Sequence, residues 1–509
     1  MVELSTFFNQ RQIVEHYQYH STCLRHDLQV KFSCLLELVG QLSVRCEALI
    51  LLNIGRAKSS GGEYQLIYSL YDMESRQLIR IISTFDSTLS PPSIRSVFSN
   101  AFEMEERLWS VSKITIDDYD RDELLRSRQL AADKLFEIPG RDGVALSFEG
   151  DLVAGVQLKY GFGRTMVEQR LLESSYFTGS NLLERFPCNT APIGSTVWCM
   201  AVEELLQITL PPKAQALRML LMELARIGGH LETIGAMVDE LGFLPASSLA
   251  LNAEEQLRDL YTTLSLARYG MGGVRLGGVQ LNLTPTSSNL LLIGVDKLER
   301  IVNRLEKLLS RSRVWIARTQ CGVLGPNQAL EFGITGVNLR ASGLSHDQRK
   351  YGALYFYPEL EFDLPLGGGG SSYDRYLVRV EEIGHSLKII RQLIASMPEG
   401  EMIVPELNLN YSPQEESLQE TQQLLNHFQL ISQGIAVPAG VAHSLLEGSD
   451  GLVGVDLIAA GDGHPLGVNI ISPAISVIQM LPTLLRGMEL EDAIITLTSL
   501  GMIRPMGAK

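Results

Sequence analysis

LPPKAQALRMLLMELARIGGHLETIGAMVDELG, residues 210–242, is the stretch that decides the fold. Pro211 and Pro212 open it, and proline suits the first turn of a helix because the N–H it lacks would have no partner there. Apolar residues then recur at three- and four-residue intervals: Leu217, Leu220, Leu221, Leu224, Ile227 and Leu231. That period predicts one long helix buried on at least one face. Residues 291–318 and 373–396 carry comparable periodicity with basic residues interleaved, so the three together predict a helical bundle. Glycine-rich punctuation at 270–278, 367–370 and 448–454 separates these helices from a last section, where 453–460 and 467–471 read as short strands and 484–500 as a closing helix.

Upstream of the bundle the pattern changes. Residues 1–125 read as a small α/β domain: an apolar-periodic helix near 35–44, then strands at 48–53, 64–71 and 78–84, the last two joined by a polar turn at 72–77. Ser90-Pro91-Pro92-Ser93 ends the hairpin. The charged run DDYDRDELLRSR, residues 117–128, reads as a solvated helix leading into a linker at 126–135. A hairpin follows, 144–148 and 153–160 about the turn Glu149-Gly150-Asp151, and opens a large domain at 136–509. The predicted class is therefore α+β: a small N-terminal α/β domain, then a β-hairpin region leading into a large helical bundle with a short-stranded C-terminal section.

Composition narrows the function. At 509 residues, 45% hydrophobic and 20% charged, the chain can bury a large core and is not collagen-like, coiled-coil or disordered. With 43 Lys and Arg against 58 Asp and Glu, its formal net charge of −15 is repelled by nucleic acid and by anionic lipid. No basic cluster offsets this, so nucleic acid is not an expected partner. Six cysteines are scattered without a CxxC, which argues against zinc fingers and thioredoxin-type redox. MVELSTFFNQ lacks the features of a signal peptide, and the apolar runs near 290–295 and 475–485 are too short to span a bilayer. A cytoplasmic setting is expected.

The common catalytic motifs are missing. There is no GxxxxGK[ST], GxSxG or HExxH, and Gly270-Met271-Gly272-Gly273 lacks the third glycine of a dinucleotide loop. His230 reads as a structural histidine within the long helix, and His16, His20 and His26 as a polar surface. One anomaly remains: Arg185, Arg226, Arg268, Arg275, Arg340 and Arg375 fall within otherwise apolar or glycine-rich segments, and Arg349 and His230 are candidates for the same network. A buried guanidinium needs a partner, so these arginines predict ion-pair networks with acids such as Glu184, Glu223, Asp347, Asp374 and Glu381. Such a network braces helices or tunes a neighbouring redox centre; spacing alone leaves both open.

The run EFGITGVNLRASGLSHDQRK, then ELEFDLPLGGGG, then SSYDRYLVRVEEIGHSLKIIRQ, within residues 331–392, closely resembles the large, quinone-pocket subunit of respiratory complex I, which is related to the large subunit of membrane-bound [NiFe] hydrogenases. Residues 210–243 resemble the family's central helix, ARYGMGGVRLGGV (267–279) its RxGGV segment, and 313–323 and 427–509 continue the likeness in order. YSLYDMESRQLIRIISTF and PPSIRSVFSNAFEMEERLW, within 64–109, are similar to the small partner subunit that some related complexes fuse in front, but the YDxFGI and GHPxLRR motifs of that subunit are missing. The resemblance implies a hydrogenase-large-subunit-like fold and a place in a membrane-associated redox complex. There the chain would sit on the cytoplasmic side, attached through partner subunits.

Departures from the family pattern are as informative. The four thiolate positions of a [NiFe] centre are occupied by Pro187, Thr190, Ile503 and Met506, which cannot supply that ligand set, so no nickel is expected. At the two quinone-binding positions the resemblance places Asp142 where the family has histidine and Cys188 where it has tyrosine. Arg185 stands where the family has an arginine beside the nearest iron–sulfur cluster, and the histidine of that cluster is replaced by Gly270. Arg185 and Arg268 are thus the expected cluster-side groups. On this reading the chain itself binds no cofactor. A [4Fe-4S] cluster would sit in an adjacent iron–sulfur small subunit, with membrane ion-translocating subunits, a ferredoxin-like subunit and a quinone as further partners. The other reading, a non-catalytic scaffold with a filled cleft, uses the same residues as braces. What separates them is the space between Asp142 and Cys188: an open apolar channel from there to the membrane-facing edge would favour the first and a packed interior the second.

Overall fold

The computed structural model describes residues 14–20, 25–58, 64–85, 89–112, 135–137, 144–158, 162–185, 190–352, 354–404 and 434–502, with single positions 4, 8, 114, 116, 117 and 428. Most of the charged run at 117–128 and nearly all of the 126–135 linker lie outside the described residues.

The N-terminal sheet has five strands: β1 (Val14–His20), β2 (Arg25–Val30), β3 (Leu49–Lys58), β4 (Tyr64–Asp72) and β5 (Gln77–Phe85). Their order is β1-β2-β5-β4-β3, and only the β2–β5 pair is parallel. β4 and β5 form the expected hairpin, with Tyr71 opposite Leu78. The residues of β4 from Leu66 onward are all buried, because the sheet is covered on both faces. Leu66, Tyr68 and Leu70 pack on helix α1 (Leu35–Arg45) and helix α2 (Ala101–Ser112). Ile67 and Tyr71 meet residues from the far C-terminal end of the chain, Ile458 and Leu452 among them. Strands β1 and β2 carry too many polar residues to read as strands. Their His26 corrects the polar-surface expectation: its ring is buried beside Phe8, Tyr17 and Tyr19, and bonds Gln77 Oε1 at 2.8 Å.

Glu105 on α2 is buried and accepts from the Ile94 N–H and the Ser93 hydroxyl, both at 2.9 Å. Burial lifts its carboxyl from 4.5 to about 6. A folded-state pKa above the unfolded one costs stability once the group ionises, so the fold loses up to about 2 kcal/mol as pH rises from 4.5 through 6. Glu105→Gln keeps an acceptor without the charge. Chemical denaturation should show the variant equal to wild type near pH 4.5 and more stable by about 1–2 kcal/mol at pH 7; a difference independent of pH would contradict this.

A second small sheet, β6 (Leu135–Glu137), β7 (Val144–Glu149) and β8 (Leu152–Leu158), contains the expected second hairpin. Helices α3 (Phe162–Glu173), α4 (Tyr176–Leu183), α5 (Ala191–Leu206), α6 (Pro212–Glu240) and α7 (Leu244–Thr263) follow. After a short ladder, β9 (Val274–Arg275) with β10 (Gly278–Val279), come α8 (Pro285–Ser310) and α9 (Ser372–Ala395). The predicted 291–318 helix ends at Ser310, and Arg313–Arg318 is a separate short turn of helix capped by Ser312. α6 packs against α7 and α9, and α7 against α8, which makes the bundle.

The last section is a three-stranded antiparallel sheet, β11 (Gly440–Glu447), β12 (Leu452–Ala459) and β13 (Pro465–Ile471), with two helices, α10 (Pro473–Leu484) and α11 (Leu490–Ser499). The expected closing helix at 484–500 is thus shorter: the chain breaks at Gly487, whose φ of +80° no helix accommodates. β13 lies on β3, so the N-terminal sheet and the C-terminal sheet share an interface.

Candidate functional site

The polar side chains of α6 and α9 share faces. Glu223, Arg226 and His230 recur at three- and four-residue intervals on α6, and Arg375, Arg379, Glu382 and Ser386 do so on α9, all buried. Where these stripes meet, a spine of ion pairs forms with residues of β11, of the short helices Gly336–Ala341 and Gln348–Tyr351 and of the loops beside them. Arg340 donates from Nε to Glu382 at 2.6 Å and from one terminal nitrogen to Glu447 at 2.8 Å and to the His346 carbonyl at 2.8 Å. Arg349 pairs with Asp347 at 2.7 Å and with Glu223 at 3.2 Å. Glu223 also accepts from Tyr357 Oη and Ser386 Oγ, both at 2.6 Å. Arg226 stands 3.5 Å from Glu223 and donates to the carbonyls of Glu447 and Gly448.

These contacts set protonation. Burial alone would raise the Glu223 and Glu382 carboxyls, but Arg349 and Arg226 at the first and Arg340 and His230 at the second hold both below the usual range. Arg379 donates to His230 Nδ1 at 3.2 Å, and a guanidinium has no acceptor, so His230 carries its proton on Nε2 and gives it to Glu382 at 2.9 Å. Burial pushes His230 down to about 4, which keeps it neutral. Glu447 behaves otherwise: burial and the neighbouring Asp347 push its carboxyl up despite Arg340.

The spine ends at a cavity. Arg379 donates to Asp450 Oδ1 at 2.7 Å, and Asp450 lies on the wall of an apolar cavity of about 260 Å³. The start of α5 (Thr190, Ile193, Val197), the β11–β12 turn, the end of β13 and the C-terminal residues Leu500, Gly501 and Met502 line it. Gly229 lets the turn approach α6, since a Cβ there would collide with Ser449 Oγ.

Of the expected site residues, Glu223, Arg226, His230, Arg340, Asp347 and Arg349 come together in the spine. Glu381 does not: it is exposed, and the buried acid is its neighbour Glu382. Asp374 is no arginine partner; it stands at the third position of a capping box, taking the Ser371 N–H while its own N–H binds Ser371 Oγ. Arg375 is buried on neutral groups, Ser499 Oγ at 2.9 Å and the carbonyls of Gly322 and Gly370. Arg275 binds Asn181 and Gln280 side chains rather than an acid, Arg268 pairs with Glu255 at the surface, and buried Glu184 accepts from the Gly272 N–H at 3.0 Å. Arg185 is exposed next to Glu184. A Cβ at Gly270 would sit 2.6 Å from the Tyr261 ring, so that ring fills the space a larger side chain would need.

Of the four thiolate positions only Thr190 is among the described residues, and its hydroxyl is a poor substitute for a thiolate. Asp142, Pro187, Cys188, Ile503 and Met506 lie outside the described residues. Among those described, no group of three or more His, Cys, Asp or Glu could hold a metal ion, and no helix is long and apolar enough to cross a membrane.

Sequence reasoning missed Arg379, Glu382, Glu447 and Asp450, and two further clusters. Arg218 is gripped by Glu203 at 2.6 Å within the bundle. Asp456 of β12 joins the two sheets: it accepts from Ser69 Oγ at 3.1 Å and His443 Nδ1 at 2.5 Å and faces Arg80 at 3.9 Å.

Fold and site together define an α+β protein built as a helical bundle with a buried ionic spine and an apolar cavity at the end of it. The family described as respiratory-chain NADH dehydrogenase, 49 kDa subunit, matches residues 240–507, and the chain belongs to that family. It is 31% identical over 369 residues to a D-type subunit of NADH-quinone oxidoreductase from Anaeromyxobacter sp. (strain K), covering 72% of this chain and 86% of that one. It is 34% identical over 316 residues to the corresponding D-type protein of Opitutus terrae, covering 62% and 74%. The NADH-quinone oxidoreductase protein of Bdellovibrio bacteriovorus whose name joins the C and D types is 30% identical over 362 residues, covering 71% of this chain and 64% of that protein.

Proposed function

We propose that this chain is the large subunit of a complex I-like redox assembly whose quinone site has been rebuilt. It packs against an iron–sulfur subunit that carries a [4Fe-4S] cluster, with Arg185 on the cluster side, and couples electron transfer to ion movement through membrane subunits. The joined name of the Bdellovibrio relative supports reading the N-terminal domain as the fused small partner subunit. The net charge of −15 favours attachment through protein rather than lipid headgroups.

The cavity beside Thr190 carries the proposal. An apolar chamber with a few polar groups on its wall suits a ring-bearing substrate. The packed spine beneath it is the brace. An azido-quinone photolabelled onto the purified complex is expected to mark peptides from 190–197 or 448–477. Labelling confined to other chains would contradict the reading.

A further inference from the structure

Asp450 is the only ionisable side chain among the described residues that line the cavity; the remaining lining is apolar apart from backbone and the hydroxyls of Thr190, Ser449 and Ser472. It is firmly placed. Arg379 donates to Oδ1 at 2.7 Å and Ser449 Oγ donates to Oδ2 at 3.2 Å. Arg379 is itself fully buried and held by His230 Nδ1 and the carbonyls of Ser449 and Ser499. A carboxylate offers about four acceptor positions and no donor, so these two bonds leave acceptor capacity facing the cavity. Gly501 keeps that approach clear: its φ is +87°, and a Cβ there would come 2.8 Å from Asp450 Oδ1.

A fixed acceptor in an apolar chamber discriminates between the two forms of a quinone. The oxidised ring presents carbonyl oxygens, which are acceptors and would face the carboxylate with no proton between them. The reduced ring presents hydroxyls, which donate. The hydroxyls of Thr190 and Ser472 can turn to serve either form, Ser449 already donates to Asp450, and the guanidinium that could have donated to a carbonyl is buried behind the carboxylate. We propose that Asp450 makes this cavity selective for the hydroquinone over the quinone, by accepting a hydrogen bond from a ring hydroxyl. The inference rests on the quinone reading of the cavity.

The test uses the purified complex with its full-length chain, a decyl-substituted benzoquinone and its hydroquinone, each in large excess, in equilibrium dialysis without oxygen. A hydrogen bond to a charged acceptor predicts that wild type binds the hydroquinone about tenfold more tightly than the quinone. In Asp450→Asn the side chain both donates and accepts and still serves Arg379, so the ratio should fall to within about threefold, and Asp450→Glu should restore most of it. Equal affinity for both forms in wild type, the same ratio in Asp450→Asn, or an equal loss of both forms there, would overturn the role of Asp450 while leaving the cavity as a quinone site. Failure of wild type to bind either form would overturn both.

Discussion

Replacing Arg340 by methionine is expected to destabilise the chain by about 3–5 kcal/mol, the cost of breaking a buried pair by removing one partner. The substitution strips Glu382 and Glu447 of their closest cation and takes a third contact from Asp347, all within a fully buried region. Lysine cannot repair it, because one ammonium cannot reach Glu382, Glu447 and the His346 carbonyl as the guanidinium fork does. Adding Glu382→Gln to Arg340→Met removes one of the stranded charges and should recover part of the loss. Urea unfolding of wild type, the two single variants and the double variant measures this cycle. A loss under about 1 kcal/mol for Arg340→Met would mean that the spine does not brace the bundle.

Asp456→Ala is expected to cost about 2–4 kcal/mol, with a more local signature. Its carboxylate ties Ser69 of the N-terminal sheet to His443 of the C-terminal sheet, while Arg80 keeps its bidentate pair with Asp27 at 2.7 Å. The loss should therefore appear as faster hydrogen exchange where β3 and β4 face β12 and β13, with the α6–α9 contact unaffected. Asp456→Asn, which keeps an acceptor, should lose less than half as much. Uniform acceleration across the bundle would argue against a role for Asp456 at the interface.

How far the sequence could be read depends on what each residue type signals. The apolar period of residues 210–242 gave α6 directly, and the strand-like runs at 64–71 and 78–84 about a polar turn gave the β4–β5 hairpin. β2 was hidden because Arg25 and His26 stand among its buried residues, with partners such as Glu204 and Gln77 far along the chain, and β1 because none of its residues from Val14 to Tyr19 is buried. Of the arginines in the anomaly, Arg226 and Arg340 lie in the spine and Arg268, Arg275 and Arg375 do not, and the acid on the buried face of α9 is Glu382 rather than Glu381. Glu382 falls seven residues after Arg375 and three after Arg379, on the same face, and that phase was available. Glu447 and Asp450 gave no such signal, since they reach the site through a strand end and a glycine-rich turn. Asp142 and Cys188, singled out by resemblance, lie outside the described residues, and among the described residues the ionisable group on the cavity wall is Asp450.

Membership of a redox assembly that works without nickel is tested most directly by affinity purification of the chain from membranes, with metal analysis and identification of the co-purifying chains. The expected preparation holds stoichiometric iron and acid-labile sulfide, an iron–sulfur subunit and membrane subunits, and no nickel. One nickel per copy of this chain, or a chain that purifies alone without iron, would contradict that membership.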